Sequence, residues 1–231
     1  MIYMLLLFSI TGNEVLTKVD SVMNAPRDRE AKLITIVIDS KGKKKERETM
    51  MYQKGDWKLI RFLSPASDRG VGFLSLSEDQ MYIYMPAFNR IRRIASHVKK
   101  QSFMDTDFSY DELGSSSYKE DWNAVIEKED STTFYLKLTP KPGNDSDYDM
   151  IKMIVKKPHF LIEKIEFYKK GTLKKVLTME NYKKINGFWT ATTIKMVNVS
   201  KNHQTIMKME EIKFNQGLPD DIFSKRNLKR Y

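Results

Sequence analysis

Apolar and polar residues alternate with a period of two along most of the chain, as in strands that bury one face. Short turns rich in Gly, Asn, Pro and Lys separate these stretches, for example after residues 33–39, 57–63 and 80–85. Strands at such regular spacing favour an antiparallel meander. The sequence therefore predicts a mainly β (α+β) fold, a strongly curved antiparallel sheet or incomplete β-barrel of about eleven strands.

One segment near the start has helical periodicity instead. Residues 13–23 place apolar side chains three and four positions apart, Asn13 is a suitable N-cap, and Pro26 follows the run. This pattern predicts an amphipathic helix that closes the sheet. Shorter helices are predicted where strand periodicity stops, at the "YDEL" run after Ser109 and over residues 220–228.

The first twelve residues, "MIYMLLLFSITG", are almost entirely apolar. They are too few to span a bilayer, which needs about 20 residues. Their length suits the apolar region of a signal peptide, with Ser9 and Thr11 small enough to flank cleavage after Thr11. The alternative is a buried first strand or helix. Residues 1–12 are thus predicted to be a signal peptide or apolar N-terminal segment. With no linker or repeat beyond it, residues 13–231 are predicted to form one domain.

The composition restricts the possible chemistry of the protein more than it restricts the possible fold. The chain has no cysteine, which excludes disulfides, thiolate metal sites and a cysteine nucleophile. Its three histidines are far apart and fit neither a metal-ligand nor a nucleophile spacing. Gly70 and Gly72 lack the Lys-Ser/Thr of a phosphate-binding loop. An enzyme acting on a lipid or glycan would need converging carboxylates, and the sequence points to none. We therefore predict no catalytic residues, metal or cofactor.

The formal net charge of +10 favours anionic partners. The most basic stretch that also carries apolar residues is "IYMPAFNRIRRIASHVKKQSF", residues 83–103. Arginines beside aromatic residues could grip phosphates of a nucleic acid or of lipid headgroups. A solvated strand face paired with nearby carboxylates is the simpler interpretation. No sequence signature of a nucleic-acid-binding fold is present. The candidate anion-binding residues are Arg90, Arg92, Arg93, Lys99 and Lys100.

Methionines recur at alternate positions of several predicted strands. Met81, Ile83 and Met85 share one face of their strand, and Tyr82 and Tyr84 share the other. Fourteen methionines are many for 231 residues. Methionine suits surfaces that adapt to varied apolar ligands, although it also fills ordinary cores. The candidates for an apolar cavity are Met81, Ile83, Met85, Phe88, Ile151, Met153, Val155, Ile194 and Met196.

Two ordered motifs resemble a known family. "RFLSPASDRGVGFLSL" and then "MYIYMPAFNRIRRIASHVKKQSFMDTDFSYDEL" are similar to the central signature of LolA-like outer-membrane lipoprotein-sorting proteins, in particular their larger, exporter-associated relatives. The resemblance covers roughly Val15 to Leu228. It implies an incomplete antiparallel barrel closed by helices, an apolar face that holds acyl chains, and a non-enzymatic protein that acts outside the inner membrane. The weakly signal-like N-terminus departs from this pattern.

The function expected from this resemblance is an exported, periplasmic carrier. It would bind the acyl chains of lipoproteins or phospholipid in the apolar cavity. The basic residues would meet anionic headgroups, a membrane surface or an inner-membrane exporter, and no nucleic acid would be bound. The competing hypothesis is a basic β-barrel module that binds nucleic acid or another polyanion, with steeply salt-dependent affinity.

Overall fold

The computed structural model describes residues 10–230, which form one antiparallel sheet of thirteen strands with an N-terminal helix and a few short helices. The mainly β architecture is confirmed, with thirteen strands where about eleven were expected. The strands are β1 Asp28–Ile38, β2 Lys44–Lys54, β3 Trp57–Ser64, β4 Gly72–Ser75, β5 Met81–Met85, β6 Arg90–Arg93, β7 Trp122–Glu129, β8 Thr133–Pro140, β9 Met150–Lys156, β10 Leu161–Lys169, β11 Thr172–Ile185, β12 Phe188–Asn198 and β13 His203–Phe214.

The sheet order explains why the barrel stays open. The chain runs as a meander from β1 to β6 and again from β7 to β13, and β13 pairs with β1. Strands β6 and β7 are the two edges of the sheet and do not pair with each other. Residues 94–121, which we call the covering segment, connect these two edges and contain α2 (Ser96–Lys99) and α3 (Tyr110–Gly114).

Helix α1 (Gly12–Met23) begins one residue before the predicted start. Its N-cap is Thr11, whose hydroxyl accepts from the backbone N–H of Glu14 at 3.2 Å while the Glu14 carboxylate accepts from the Thr11 N–H at 2.7 Å. This is a capping box. Asn13, the predicted cap, instead accepts from the backbone N–H of Ala124 at 2.7 Å. Residues 1–9 of the predicted signal segment lie outside the described part, whereas Ile10 packs on the core.

Gly12 allows α1 to lie close to the edge strand β7. A Cβ atom at this position would be 2.4 Å from the carbonyl oxygen of Ala124, well inside contact distance. The three α1 side chains Val15, Leu16 and Val19 are fully buried. They pack into the largest apolar cluster, on the face formed by β7 to β12. We call the face of the sheet that contacts α1 and the covering segment the inner face.

Two further apolar clusters lie on opposite faces of β3 to β5. On the inner face, the covering segment inserts Phe103, whose ring lies 5.4 Å from that of Phe73. On the outer face, Leu59 and Leu74 pack under the C-terminal residues, which form a 3₁₀ helix (Asp220–Phe223) and α4 (Lys225–Leu228) in place of one closing helix. No helix among residues 10–230 is long and apolar enough to cross a membrane.

Candidate functional site

The inner face surrounds a cavity of about 370 Å³ between the central strands and the covering segment. This volume falls within the range of small-molecule sites, roughly 300–1,000 Å³. Strands β1 to β3 and β11 to β13 together with the covering segment supply most of its wall, and α3 covers part of it. The cavity is therefore bordered by both halves of the meander and by the segment that joins their edges.

Methionines form much of the floor of this cavity. Met207 on β13 lies opposite Ile194 on β12 and Thr35 on β1, and Met209 lies opposite Leu33. Residues directly opposite in a ladder share a face, so these side chains form one continuous apolar surface. We call this surface the methionine floor. Its members, all of which line the cavity, are Leu33, Met51, Leu177, Met179, Ile194, Met196, Met207 and Met209.

Three of the nine predicted cavity residues line it: Ile151, Ile194 and Met196. Met153 and Val155 share the inner face with Ile151 but lie buried in the cluster that packs against α1. Their contact with a ligand stays a prediction.

The other four predicted cavity residues lie away from it. Met81 and Ile83 are buried under the covering segment, and Met85 packs at the edge of the same cluster. Phe88 is 59% exposed in the 3₁₀ helix that follows β5. The strand alternation placed Met81, Ile83 and Met85 on one face, and the structure shows that the covering segment occupies the space above them.

The five predicted basic residues divide into two groups. Lys100 lines the cavity, with its Nζ 2.7 Å from Asp145, and Lys99 lies 3.0 Å from Asp79. The Arg93 guanidinium donates to the Asp79 carbonyl oxygen at 2.7 and 3.2 Å. By contrast, Arg90 and Arg92 are exposed on the edge strand β6 and form no salt bridge within residues 10–230.

Four cationic residues that line the cavity were missed by sequence reasoning: Arg29 on β1, Arg47 on β2, Lys58 on β3 and Lys175 on β11. Arg47 belongs to the lysine-rich stretch "KGKKKER", which has the composition of a solvated hairpin edge. The available signal was the alternation of Arg47, Thr49 and Met51 with Glu46 and Glu48 along one strand. That alternation places Arg47 on the same face as the apolar Met51.

Helix α3 is held over the cavity by lysines from both halves of the sheet. Lys58 donates through Nζ to the carbonyl oxygens of Leu113 at 3.1 Å and Gly114 at 3.3 Å, and also to that of Ser115. From β11, Lys175 Nζ lies 2.9 Å from the Glu112 carboxylate. These contacts fix the end of α3 across the gap between the two edges.

The Glu112 carboxylate also meets the Tyr148 hydroxyl, which donates to it at 2.9 Å. Burial raises the pKa of Tyr148, and the charge of Glu112 raises it further. The phenol therefore stays neutral and acts as a donor at physiological pH. Within the described part of the chain, no cluster of three or more His, Asp or Glu side chains is placed to hold a metal ion.

Burial lowers the pKa of Lys58 to about 8, well below its value of 10.5 in an unfolded chain. Between these two values the unfolded chain binds more protons than the folded one, so the free energy of unfolding should rise with pH. We expect a contribution of ~1–3 kcal/mol between pH 8 and 10.5. Urea denaturation of wild type and Lys58→Met across this range checks it. A difference between the two proteins that stays constant with pH would contradict the assignment.

The comparisons with known proteins agree with this architecture. A model of a family of uncharacterized proteins matches residues 54–230. A crystal structure of a DUF1329 family protein from Desulfovibrio piger is 25% identical, with a TM-score of 0.88 over 94% of this chain and 97% of that one. A domain from Vibrio parahaemolyticus, assigned as an outer-membrane lipoprotein-sorting protein, is 28% identical, with a TM-score of 0.85 over 95% and 98% of the two chains.

The chain belongs to the LolA-like family. A LolA superfamily protein from Nitrosomonas europaea shares the fold at 19% identity, with a TM-score of 0.78 over 95% of this chain and all of that one. No curated protein matches the sequence. The Desulfovibrio piger and Vibrio parahaemolyticus neighbours support, in general terms, a family of lipoprotein or lipid carriers.

Proposed function

We propose that this LolA-like protein binds the acyl chains of lipoproteins or lipids in its cavity and shuttles them within the cell envelope. The observation that carries the proposal is the methionine floor enclosed in a LolA-like fold. Burial of each ligand methylene contributes about 0.8 kcal/mol. Flexible methionine side chains can adjust to chains of different length, which suits a carrier that must also release its cargo.

We also propose where the protein acts and what it meets there. A carrier of this kind works outside the inner membrane, in the periplasm or its equivalent. Phospholipid and acylated protein are the cargo classes that match an apolar floor with cationic residues on its wall. An inner-membrane exporter as partner stays a prediction, and so does the removal of the apolar N-terminal segment.

The exposed part of the basic stretch, residues 88–92, is a candidate membrane contact. The Arg92 guanidinium lies 6.0 Å from the centre of the exposed Phe88 ring, and Arg90 extends from the same edge strand. Arg90 and Arg92 lie on one face of β6, opposite Met85 and Ile83 of β5. An aromatic side chain beside two uncompensated cations fits the surface of an anionic bilayer.

Replacing both Arg90 and Arg92 by alanine should weaken binding to anionic phospholipid vesicles by about tenfold or more. Each basic residue near an anionic surface contributes roughly 1 kcal/mol. The same variant should bind a neutral fluorescent acyl probe as wild type does, because neither arginine lines the cavity. Vesicle co-sedimentation and probe titration measure the two activities separately.

Lys183 and Lys184 provide a matched control. Both are exposed on β11, so replacing them by alanine removes the same charge from another part of the surface. This control should bind vesicles more tightly than the arginine variant. If the two double variants lose vesicle binding equally, net charge explains the effect and β6 is not the contact. If the arginine variant also loses the acyl probe, the proposed separation of the two surfaces is wrong.

A further inference from the structure

Arg47 is the most deeply buried charged side chain of the cavity wall, with 1% of its surface exposed. Its Nε donates to the Asp68 carboxylate at 2.7 Å. Its two terminal nitrogens, Nη1 and Nη2, are buried and have no hydrogen-bond partner among residues 10–230. A buried donor that is left without a partner costs about 1–3 kcal/mol, and more when the group is charged. The arrangement therefore calls for an acceptor inside the cavity.

A second unpartnered group lies two residues along the same face of β2. Thr49 lines the cavity, and its hydroxyl is buried and likewise has no hydrogen-bond partner in the described chain. Because side chains at alternate positions of a strand point the same way, Arg47 and Thr49 face the cavity together. Three buried donor atoms without partners thus lie on the same face of β2, beside the cavity.

The nearby carboxylates do not account for these donors. Asp68 also pairs with Lys45 at 3.2 Å and accepts from the Ser67 hydroxyl at 3.0 Å. The Asp105 carboxylate lies 3.9 Å from Nη2 of Arg47, too far for a hydrogen bond, and its side chain is 88% exposed. Asp105 is therefore a solvated neighbour that would compete weakly with an anionic ligand.

Apolar surface extends from this cationic end along β2 and its neighbours. Leu33 lies opposite Thr49, and Met51 follows on the same face. The next cationic side chain of the wall is Arg29, opposite Gln53. Six residues separate Gln53 from Arg47, which corresponds to about 20 Å of strand. The cavity volume of about 370 Å³ has room for one apolar chain of roughly this length.

We infer that Arg47 and Thr49 bind the anionic end of a single-chain amphiphile whose chain lies along the methionine floor. The inference rests on the proposed function and names its ligand class, an acyl chain that ends in a carboxylate or a phosphate. The planar guanidinium presents Nη1 and Nη2 as a pair, which matches two oxygens of either group. Thr49 donates its hydroxyl to the same anion.

The test compares three ligands with the same twelve-carbon chain: dodecanoic acid, dodecyl phosphate and dodecanol. Each displaces a fluorescent acyl probe from the full-length protein. Wild type should bind at least one of the two anions about tenfold or more tighter than the alcohol, as expected for hydrogen bonds to a charged group. The acid and phosphate arms distinguish a fatty acid from a phosphate-bearing lipid as the source of the anion.

Arg47→Met should remove this preference while the affinity for dodecanol stays within about threefold. Thr49→Val should reduce the preference, and Asp105→Asn should increase it by removing the competing carboxylate. These two variants keep the test decisive if Arg47→Met fails to fold without its ion pair. The control is Arg61→Met, because Arg61 also has an unpartnered Nε but lies outside the cavity wall.

The outcomes separate the inference from the function on which it rests. Equal affinity of wild type for all three ligands would overturn the anion site and leave the carrier function standing. Failure of wild type to bind any of them, dodecanol included, would overturn the carrier function itself. An anion preference that survives in Arg47→Met and Thr49→Val would place the anion elsewhere and refute the assignment.

Discussion

Replacing Ile194 by tryptophan is expected to lower the affinity for an acyl-chain probe by about a hundredfold or more. Ile194 lies at the centre of the methionine floor, opposite Met179 on β11 and Met207 on β13. An indole there would project into a cavity of about 370 Å³ and exclude several methylenes of the ligand. At about 0.8 kcal/mol for each methylene, exclusion of four costs roughly 3 kcal/mol.

The neighbouring residue on β12 provides the control for this substitution. Lys195 lies opposite Thr178 and Ile206, on the outer face of the sheet. Lys195→Trp adds the same side chain to the same strand and should leave probe affinity within about threefold of wild type. Titration of the probe, with thermal unfolding as a check of folding, compares the two variants. Equal binding by both would show that acyl chains do not occupy the methionine floor.

Replacing Leu16 by alanine is expected to lower the free energy of unfolding by about 2–5 kcal/mol. Leu16 is fully buried where α1 crosses the inner face, between Val15 and Val19. The loss has two physical sources: the transfer energy of the missing atoms and the space they leave in a close-packed core. Such a change is a large part of the total stability of a domain of this kind.

Val125→Ala is the matched control, because Val125 is 58% exposed on β7, the strand that α1 contacts. It should change the free energy of unfolding by no more than about 0.5 kcal/mol. Urea denaturation measures both variants, and an unchanged m-value shows that the comparison is of stability alone. A loss below about 1 kcal/mol for Leu16→Ala would mean that α1 is only loosely attached to the sheet.

The strands were predictable because alternation of apolar and polar residues is a local property of the sequence. The start of α1 was harder to place, because both Thr11 and Asn13 are good cap residues. Thr11 became the cap since Glu14 completes its capping box, while a tertiary contact recruited Asn13 to the backbone of Ala124.

The cavity could be predicted only in part, because its lining, like the role of Asn13, depends on tertiary contacts. Alternation identifies which residues share a face, but not which of them face open space. Ile194 and Met196 line the cavity, whereas Met81 and Ile83 have the same alternation and lie beneath Phe103 of the covering segment. Such a contact between distant parts of the chain leaves no trace in the local pattern.

Arg47 shows most clearly how far burial can be predicted from the local sequence. Its neighbours Lys43, Lys44 and Lys45 make the local sequence typical of a solvated hairpin. Alternation puts Arg47 on the same face as Met51, and the pairing of Arg47 with Thr35 of β1 shows that this face is the inner one. Pairing register depends on the whole sheet, so local alternation alone does not show that this face is the buried one.

Native mass spectrometry of gently purified protein, followed by organic extraction, tests the carrier function most directly. We expect an adduct that extracts as an acyl-chain lipid or an acylated peptide, and we expect no adduct on Ile194→Trp prepared in the same way. A wild-type protein that shows only its own mass, and that takes up no fluorescent fatty-acid probe, would contradict the assignment of this cavity to acyl chains.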